Sequence, residues 1–324
     1  MRALGISSGG LDSILSALIL KDQGIDVEWV NFETPFFDSD KARRAADMTG
    51  IPLTIKRITN RYMEMLRNPH CGYGGNMNPC LDCHALMFRL AGDMMRERGV
   101  HFLFSGEVVG QRPMSQTKPS LRYVEKNSGY EGYILRPLSA KLLPPTRVET
   151  EGWVDRDRLL DISGRGRKDQ IRLAKEFGIT RYPAPAGGCL LTDVGFSRRL
   201  RELLQHVQTP EERDLELLKY GRHFRVSPSH KVVVGRTRPD NEAILSFLDS
   251  HRDTTLRMAD MPSPAVLIPG SGPESLVRPA AELCAAYSKA KEGQPVRISV
   301  KTPTGVIQVN ITTGSREKFR HLSI

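Results

Sequence analysis

The chain has 324 residues, 39% of them hydrophobic, and a formal charge of +10. That length accommodates two domains with separate cores, and the basic balance suits a polyanionic partner. No signal-type apolar core and no run long enough to span a bilayer is present, so a cytoplasmic protein without membrane contact is expected, and five cysteines, an odd number, argue for metal or sulfur chemistry over a disulfide scaffold.

Ala3-Leu4-Gly5-Ile6-Ser7 reads as a buried strand that runs into Ser8-Gly9-Gly10-Leu11-Asp12-Ser13 and then an apolar-periodic helix at 14–20. Two glycines let several backbone N–H groups point at one anion, and the helix that follows adds the positive end of its dipole. The loop lacks the Gly-Lys-Ser/Thr ending of a Walker loop, which fits a cradle that grips pyrophosphate as a leaving group. Strands at 26–32, 53–58 and 101–104 alternate with helices at 40–49 and 85–98, the pattern of a parallel sheet with crossover helices. Ligands of such a sheet bind beyond the carboxyl ends of its strands. Ser8 to Ser13, Asn31-Phe32 and Ser105-Gly106-Glu107 are therefore expected around one crevice, with Asn31 and Phe32 as candidates for the adenine.

The signature Ser-Gly-Gly-x-Asp-Ser, met at every specified position from Ser8 to Ser13, resembles that of the PP-loop ATPases. The resemblance implies an adenine nucleotide alpha hydrolase-like fold, with a parallel sheet and flanking helices. It also implies cleavage of ATP between its alpha and beta phosphates, with Asp12 assisting a magnesium ion.

Cys80-Leu81-Asp82-Cys83 stands at a helix entry, where thiolate is favoured, after a loop rich in glycine and proline. Alone, the pair is ambiguous between zinc, redox and cluster chemistry. Cys189, in the loop Tyr182-Pro183-Ala184-Pro185-Ala186-Gly187-Gly188-Cys189, is the candidate to complete it. Here the chain resembles the tRNA-thiolating branch of the PP-loop group, in which a cysteine or C-x-x-C pairs with a distant cysteine. Three cysteines imply a [4Fe–4S] cluster held by Cys80, Cys83 and Cys189, with one iron open to a sulfur nucleophile. The alternatives are a cluster-free persulfide on Cys189 resolved by Cys83, or zinc on Cys71, Cys80, Cys83 and either His70 or His84. The stretch from Ser105 to Gln116 is similar to the 4-thiouridine synthetases, with Arg112 facing phosphate or RNA; Lys168 at the start of a helix at 167–177 reads as a solvated helix end.

A capping-box start at Thr209-Pro210-Glu211-Glu212 sets the domain junction, giving domains at 1–205 and 209–324. Strands at 223–226, 231–234, 255–258, 265–268, 296–301 and 306–311, with helices at 241–248 and 274–291, describe a smaller α+β domain. Cys284 reads as a buried small hydrophobe. Gly221-Arg222-His223-Phe224, Val234-Gly235-Arg236 and the stretch through Lys289 and Lys291 resemble the RNA-binding domain of NFACT proteins. Arg222, Arg236, Lys289 and Lys291 are the expected phosphate contacts, with Phe224 or Tyr287 stacking.

Together these features point to an ATP-dependent tRNA uridine sulfurtransferase that draws on a sulfide or persulfide donor. A PP-loop amidotransferase or synthetase and a non-catalytic, ATP-gated RNA- or ribosome-binding protein are the competing classes.

Overall fold

Strand β1 (Arg2–Ile6) buries Ala3 and Leu4 completely, as a strand covered on both faces must. The computed structural model describes residues 1–184, 188–270 and 272–324; Pro185, Ala186 and Gly187 of the expected cysteine-bearing loop lie outside the described residues. After β1 come α1 (Leu11–Asp22), β2 (Asp26–Glu33), α2 (Asp40–Thr49), β3 (Leu53–Arg57), α3 (Thr59–Arg67) and α4 (Cys80–Arg98). They are followed by β4 (Phe102–Ser105), α5 (Lys118–Ser128), β5 (Ile134–Leu135), α6 (Arg147–Thr150) and α7 (Lys168–Glu176). The sheet order is β3-β2-β1-β4-β5 and every pairing is parallel. Chain direction across the sheet reverses between β1 and β4, so the loops after those strands flank the switch point where ligands bind.

Two glycines decide how tightly that switch point closes. Gly9 has φ +69°, and a Cβ on it would lie 2.1 Å from the carbonyl carbon of Lys41 in α2. A Cβ on Gly106 would lie 2.5 Å from the backbone of Asp12 and Ser13 in the first turn of α1. Backbone thus packs on backbone at both places, drawing α2 and the loop after β4 against the phosphate loop. At Gly10, by contrast, a Cβ would approach only the Ser8 hydroxyl, at 3.4 Å.

The chain divides into two compact units, Met1–Thr192 and Asp193–Ile324. This division falls before α8 (Val194–His206), whereas the junction read from the sequence falls after it, at 205/209. The second unit continues with α9 (Glu212–Leu217), β6 (Arg222–Ser227), β7 (His230–Val234), α10 (Arg238–Ser246), β8 (Thr254–Met258), β9 (Val266–Ile268), α11 (Val277–Ala286), β10 (Pro295–Thr302) and β11 (Gly305–Thr312). Its six strands pair antiparallel in the order β11-β10-β8-β9-β7-β6. Helix α11 covers one face, its Ala280, Leu283 and Cys284 fully buried against Val232, Ile298 and Val300.

Besides the one-turn α6, three longer helices, α3, α5 and α8, lie outside the elements expected from the sequence. Each buries a 3–4-spaced set, such as Tyr62, Met63 and Leu66 in α3 or Phe196, Leu200 and Leu203 in α8. The capping box of α9 forms two residues later than expected, on Glu211 and Asp214, so Pro210 is outside the helix. Helix α11 stops well short of residue 291, because Ser288 turns its hydroxyl onto the Ala285 carbonyl and accepts from the Ala290 amide.

Gly9→Ala is expected to lower the unfolding free energy by about 2 kcal/mol through positive φ and backbone overlap, and Gly10→Ala to stay within about 0.5 kcal/mol. Urea denaturation of the two variants checks this; equal losses would contradict it.

Candidate nucleotide and thiol site

The phosphate loop is braced from within. The Gly9 amide donates to Ser7 Oγ at 3.2 Å, and the Ser8 amide to Ser13 Oγ at 3.3 Å. From β2, Asn31 Nδ2 donates to the Ser7 carbonyl at 2.6 Å. Gly10 serves as N-cap of α1 without any side-chain cap, so no capping side chain takes the place that an anion would occupy at the first turn. Phe32 is only 2% exposed and Leu11 is likewise buried. Both act as packing beneath the loop, so Phe32 offers no ring face to an adenine, while Asn31 serves the loop carbonyl.

Asp12 carries the unsettled charge of this loop. One carboxylate oxygen accepts from Gln111 Nε2 at 3.2 Å, and the other is buried without a partner. Burial raises its pKa, opposed first by Gln111 and then by the charge of Arg167, by Gln170 and by Arg112. A carboxylate oxygen left unmatched beside a phosphate cradle is a donor suited to magnesium, so the residues present fit that ion.

Glu107, by contrast, is fully settled. It accepts from Arg136 Nε at 2.9 Å and from Ser105 Oγ at 3.1 Å, and it pairs with His84 Nδ1 at 2.8 Å. Burial pushes its carboxyl up, but Arg136 and His84 outweigh burial and hold it at about 2. Its oxygens are committed to the protein, which makes it a brace for the loop after β4. That bond engages only Nδ1 of His84.

Cys80 and Cys83 lie in the first turn of α4 and Cys189 in a loop just ahead of a short 3₁₀ turn, Leu190–Thr192; all three are half-buried and free. Hydrogen bonds from Leu190 N–H to the Phe36 carbonyl at 3.0 Å and from Asn76 Nδ2 to the Thr192 carbonyl at 2.9 Å help hold the Cys189 loop. The thiols sense one another. Burial pushes Cys83 well up; a hydrogen bond from Tyr62 opposes this, and the charges of Cys189 and Cys80 add to it. Cys189 is pushed up to about 11, first by burial and then by Cys80, against the Leu191 amide and Arg112. Arg112 is therefore felt by both Asp12 and Cys189, and Lys41 also touches both parts: its backbone packs on Gly9, and its Nζ lies 3.9 Å from where a Gly188 Cβ would be.

Tyr62, Gln170, Arg136 and Lys41 are the neighbours that motif reading misses, whereas the sequence reads His84 and Gln111 in other roles. Tyr62 is signalled only by the apolar spacing of α3. The others come from segments far apart in sequence, joined only by the fold.

In the second unit Phe224 is 1% exposed and belongs to the core, so it does not stack on a base. Tyr287 is half-buried, with the guanidinium of Arg222 at 5.0 Å and that of Arg316 at 5.3 Å from its ring. Arg236 is ion-paired with Asp240 at 2.6 Å, which lessens its charge toward a phosphate; Lys289 and Lys291 are exposed.

The low pKa of Glu107 sets a pH window. Its carboxyl titrates at about 2 in the folded chain against an ordinary 4.5. Its stabilisation is therefore complete above the ordinary value and is lost as pH falls through the folded one. Glu107→Gln is expected to lower stability by about 3 kcal/mol at neutral pH, since Arg136 is left under-paired in the interior. In urea denaturation at several pH values the difference should shrink as the solution is acidified below the ordinary carboxylate range; a constant difference would contradict the assignment.

Residues 1–141 match the family model of the thiamine biosynthesis protein ThiI, and residues 221–321 match the NFACT protein RNA binding domain. The chain is 27% identical over 270 residues to tRNA-specific 2-thiouridylase MnmA 2 of Thermoanaerobacter sp. (strain X514), covering 73% of this chain and 70% of that protein. It is 26% identical over 146 residues to a probable tRNA sulfurtransferase of Oceanobacillus iheyensis, covering 42% of this chain and 34% of that protein. Among solved structures, a 4-thiouridine synthetase–RNA complex with bound ATP aligns with a TM-score of 0.41 and 19% identity, over 67% of this chain and 52% of that one. A ThiI-type segment at residues 1–141 is thus followed by an NFACT-type RNA-binding segment at residues 221–321, and the relatives that the chain resembles are tRNA-thiolating proteins.

Proposed function

We propose that this chain is an ATP-dependent tRNA sulfurtransferase that activates a uridine carbonyl oxygen with AMP and replaces it with sulfur. The observation that supports this most is the reach of Lys41, whose backbone packs on Gly9 of the nucleotide cradle while its Nζ lies 3.9 Å from where a Cβ on Gly188, the neighbour of Cys189, would stand. In the first step the carbonyl oxygen bonds to the alpha phosphorus of ATP and the bond to the beta-phosphate oxygen breaks. The uncapped amides of α1 hold the departing pyrophosphate, with Asp12 as the magnesium donor. In the second step a sulfide-level sulfur attacks the activated carbon, loses its proton, and AMP carries off the carbonyl oxygen. A carbonyl oxygen is a poor leaving group until it bears AMP. The target base must leave its stack to meet the loop.

Cys80, Cys83 and Cys189 are the residues that would hold a [4Fe–4S] cluster, and their chemistry fits one. Burial and mutual repulsion disfavour the thiolates of Cys83 and Cys189, and bound iron reverses both effects. Bound there, such a cluster supplies an iron without a protein ligand that can take a sulfur nucleophile. A second reading is favoured by the coupling of Cys83 to Cys189: Cys189 carries a persulfide whose outer sulfur is transferred, and Cys83 then closes a disulfide. The exposed basic residues of the second unit, Arg222, Lys289 and Lys291, with Tyr287 between two guanidiniums, are proposed as RNA contacts.

The test uses the full chain purified without oxygen, with tRNA, ATP, magnesium and sulfide, reading pyrophosphate release, thionucleosides by mass spectrometry, and iron with acid-labile sulfide. Asp12→Asn is expected to slow RNA-dependent pyrophosphate release about 100-fold. Cys189→Ser is expected to retain that release while thiolation is lost. Iron-free protein that thiolates when a persulfide donor replaces the sulfide, but not with sulfide alone, selects the persulfide route. Unaltered activity in Cys189→Ser with amine incorporated, or ATP binding with no RNA-dependent pyrophosphate release, overturns the proposal.

A further inference from the structure

Apart from the three converging thiols, a second set of donors gathers where the segment between α3 and α4 folds back onto the first turn of α4. A ring nitrogen of His70, the Cys71 sulfur and a carboxylate oxygen of Asp82 all lie within 4.8 Å of one another. His70 and Cys71 are exposed, whereas Asp82 is 8% exposed. The Cys71 amide donates to Asp82 Oδ2 at 2.8 Å, and the Tyr123 hydroxyl donates to Asp82 Oδ1 at 2.9 Å. The same hydroxyl lies 3.1 Å from His70 Nδ1, and the two rings stack with centroids 6.2 Å apart. The trio is therefore held in place by its own backbone bond and by Tyr123 of α5.

Charge is what this arrangement leaves open. Both hydrogen bonds to Asp82 come from neutral donors, and among the described residues no lysine or arginine forms an ion pair with it. A carboxylate taken out of water ordinarily meets a cation, because a neutral hydrogen bond recovers only part of its lost solvation. Here the protein supplies none, while a nitrogen and a sulfur donor stand beside it.

We propose that His70, Cys71 and Asp82 bind one zinc ion, with water in the fourth position. The donor set selects the metal. Magnesium and calcium take oxygen ligands, iron–sulfur clusters take thiolates, and a mixed nitrogen, sulfur and oxygen set suits zinc. A thiolate and a carboxylate with a neutral imidazole cancel the charge of the ion, so the loaded site is neutral. Reaching bond lengths of about 2.0–2.3 Å requires the exposed side chains of His70 and Cys71 to shift inward from their present contacts, while Asp82 stays fixed by Tyr123. The ion would tie the loop to the turn that carries Cys80 and Cys83, setting their positions without occupying them.

The probe is zinc itself, titrated into the chelator-stripped full chain against a chromophoric chelator, with thiols reduced and iron excluded. Cobalt is used in parallel for its thiolate charge-transfer band. One zinc per chain is expected, with affinity within about threefold of the parent in Cys80→Ser and Cys189→Ser. Cys71→Ser and His70→Ala should weaken binding by about 100-fold or more, and Tyr123→Phe by about 10-fold. The cobalt band should vanish in Cys71→Ser and persist in Cys80→Ser. Both His70 and Cys71 are exposed, so circular dichroism of these variants should match the parent. Zinc lost with Cys80 or Cys83 but unaffected by Cys71→Ser would overturn the site, as would a folded chain that binds no zinc.

Discussion

Backbone packed against backbone at the ends of β1 and β4 is the constraint on which the first unit depends. Side chains reorient when a neighbour changes, but two main chains in contact leave no such freedom. Lys41 and Ala42 of α2 fill the space beside Gly9, and the first turn of α1 fills the space beside Gly106. Three elements from separate parts of the chain are thereby fixed around one small volume before any ligand arrives. Such a site pays its ordering entropy during folding, which leaves binding energy available for the reaction.

Electrostatics divides the residues of that volume into two groups. Glu107, Arg136 and His84 neutralise one another inside the protein and hold the loop after β4. Asp12, Cys83 and Cys189 remain disfavoured as anions by burial; Arg167 and Arg112 relieve Asp12 in part and Arg112 relieves Cys189, whereas Cys83 has only the hydrogen bond from Tyr62. The first group explains rigidity; the second indicates where ligands bring their own charge. Asp82 falls in the second group on a different surface of α4, with hydrogen bonds but no counter-ion.

The parallel sheet, the phosphate loop and the two-unit organisation were legible in the sequence because each has a short-range signal: an apolar run, a glycine pair before a helix, a change from alternating helices to clustered strands. Cys80 and Cys83 were legible for the same reason, and their place in the first turn of α4 agrees with it. Less visible was anything set by burial. Phe32 and Phe224 are strand-end aromatics that look available for stacking, yet each lies under its sheet, because period-two alternation does not say which face is covered. Asn31 turned inward to a backbone carbonyl that no motif marks. Helices α3, α5 and α8 carry mixed polar and apolar residues in which the helical spacing is diluted by Arg, Lys and Asn. The ion pairs joining β4 to α4 and β5 depend on contacts from residue 84 to residue 136, a separation that local patterns do not span.

The central position of β1 has a bearing on how the chain is made. Ala3 pairs with Val27 on one side and with Phe102 on the other. During synthesis β1 therefore gains one neighbour early and waits about a hundred residues, on the order of 5–20 seconds at ordinary translation speeds, for the second. Until β4 emerges, an apolar strand with one open edge is presented to the cytosol or to a chaperone. The antiparallel sheet of the second unit, built largely from hairpins such as β10–β11, has no comparable delay. Nascent-chain rescue and co-translational misfolding would accordingly be concentrated in the nucleotide-binding half, with the RNA-binding half assembling soon after its own strands leave the ribosome.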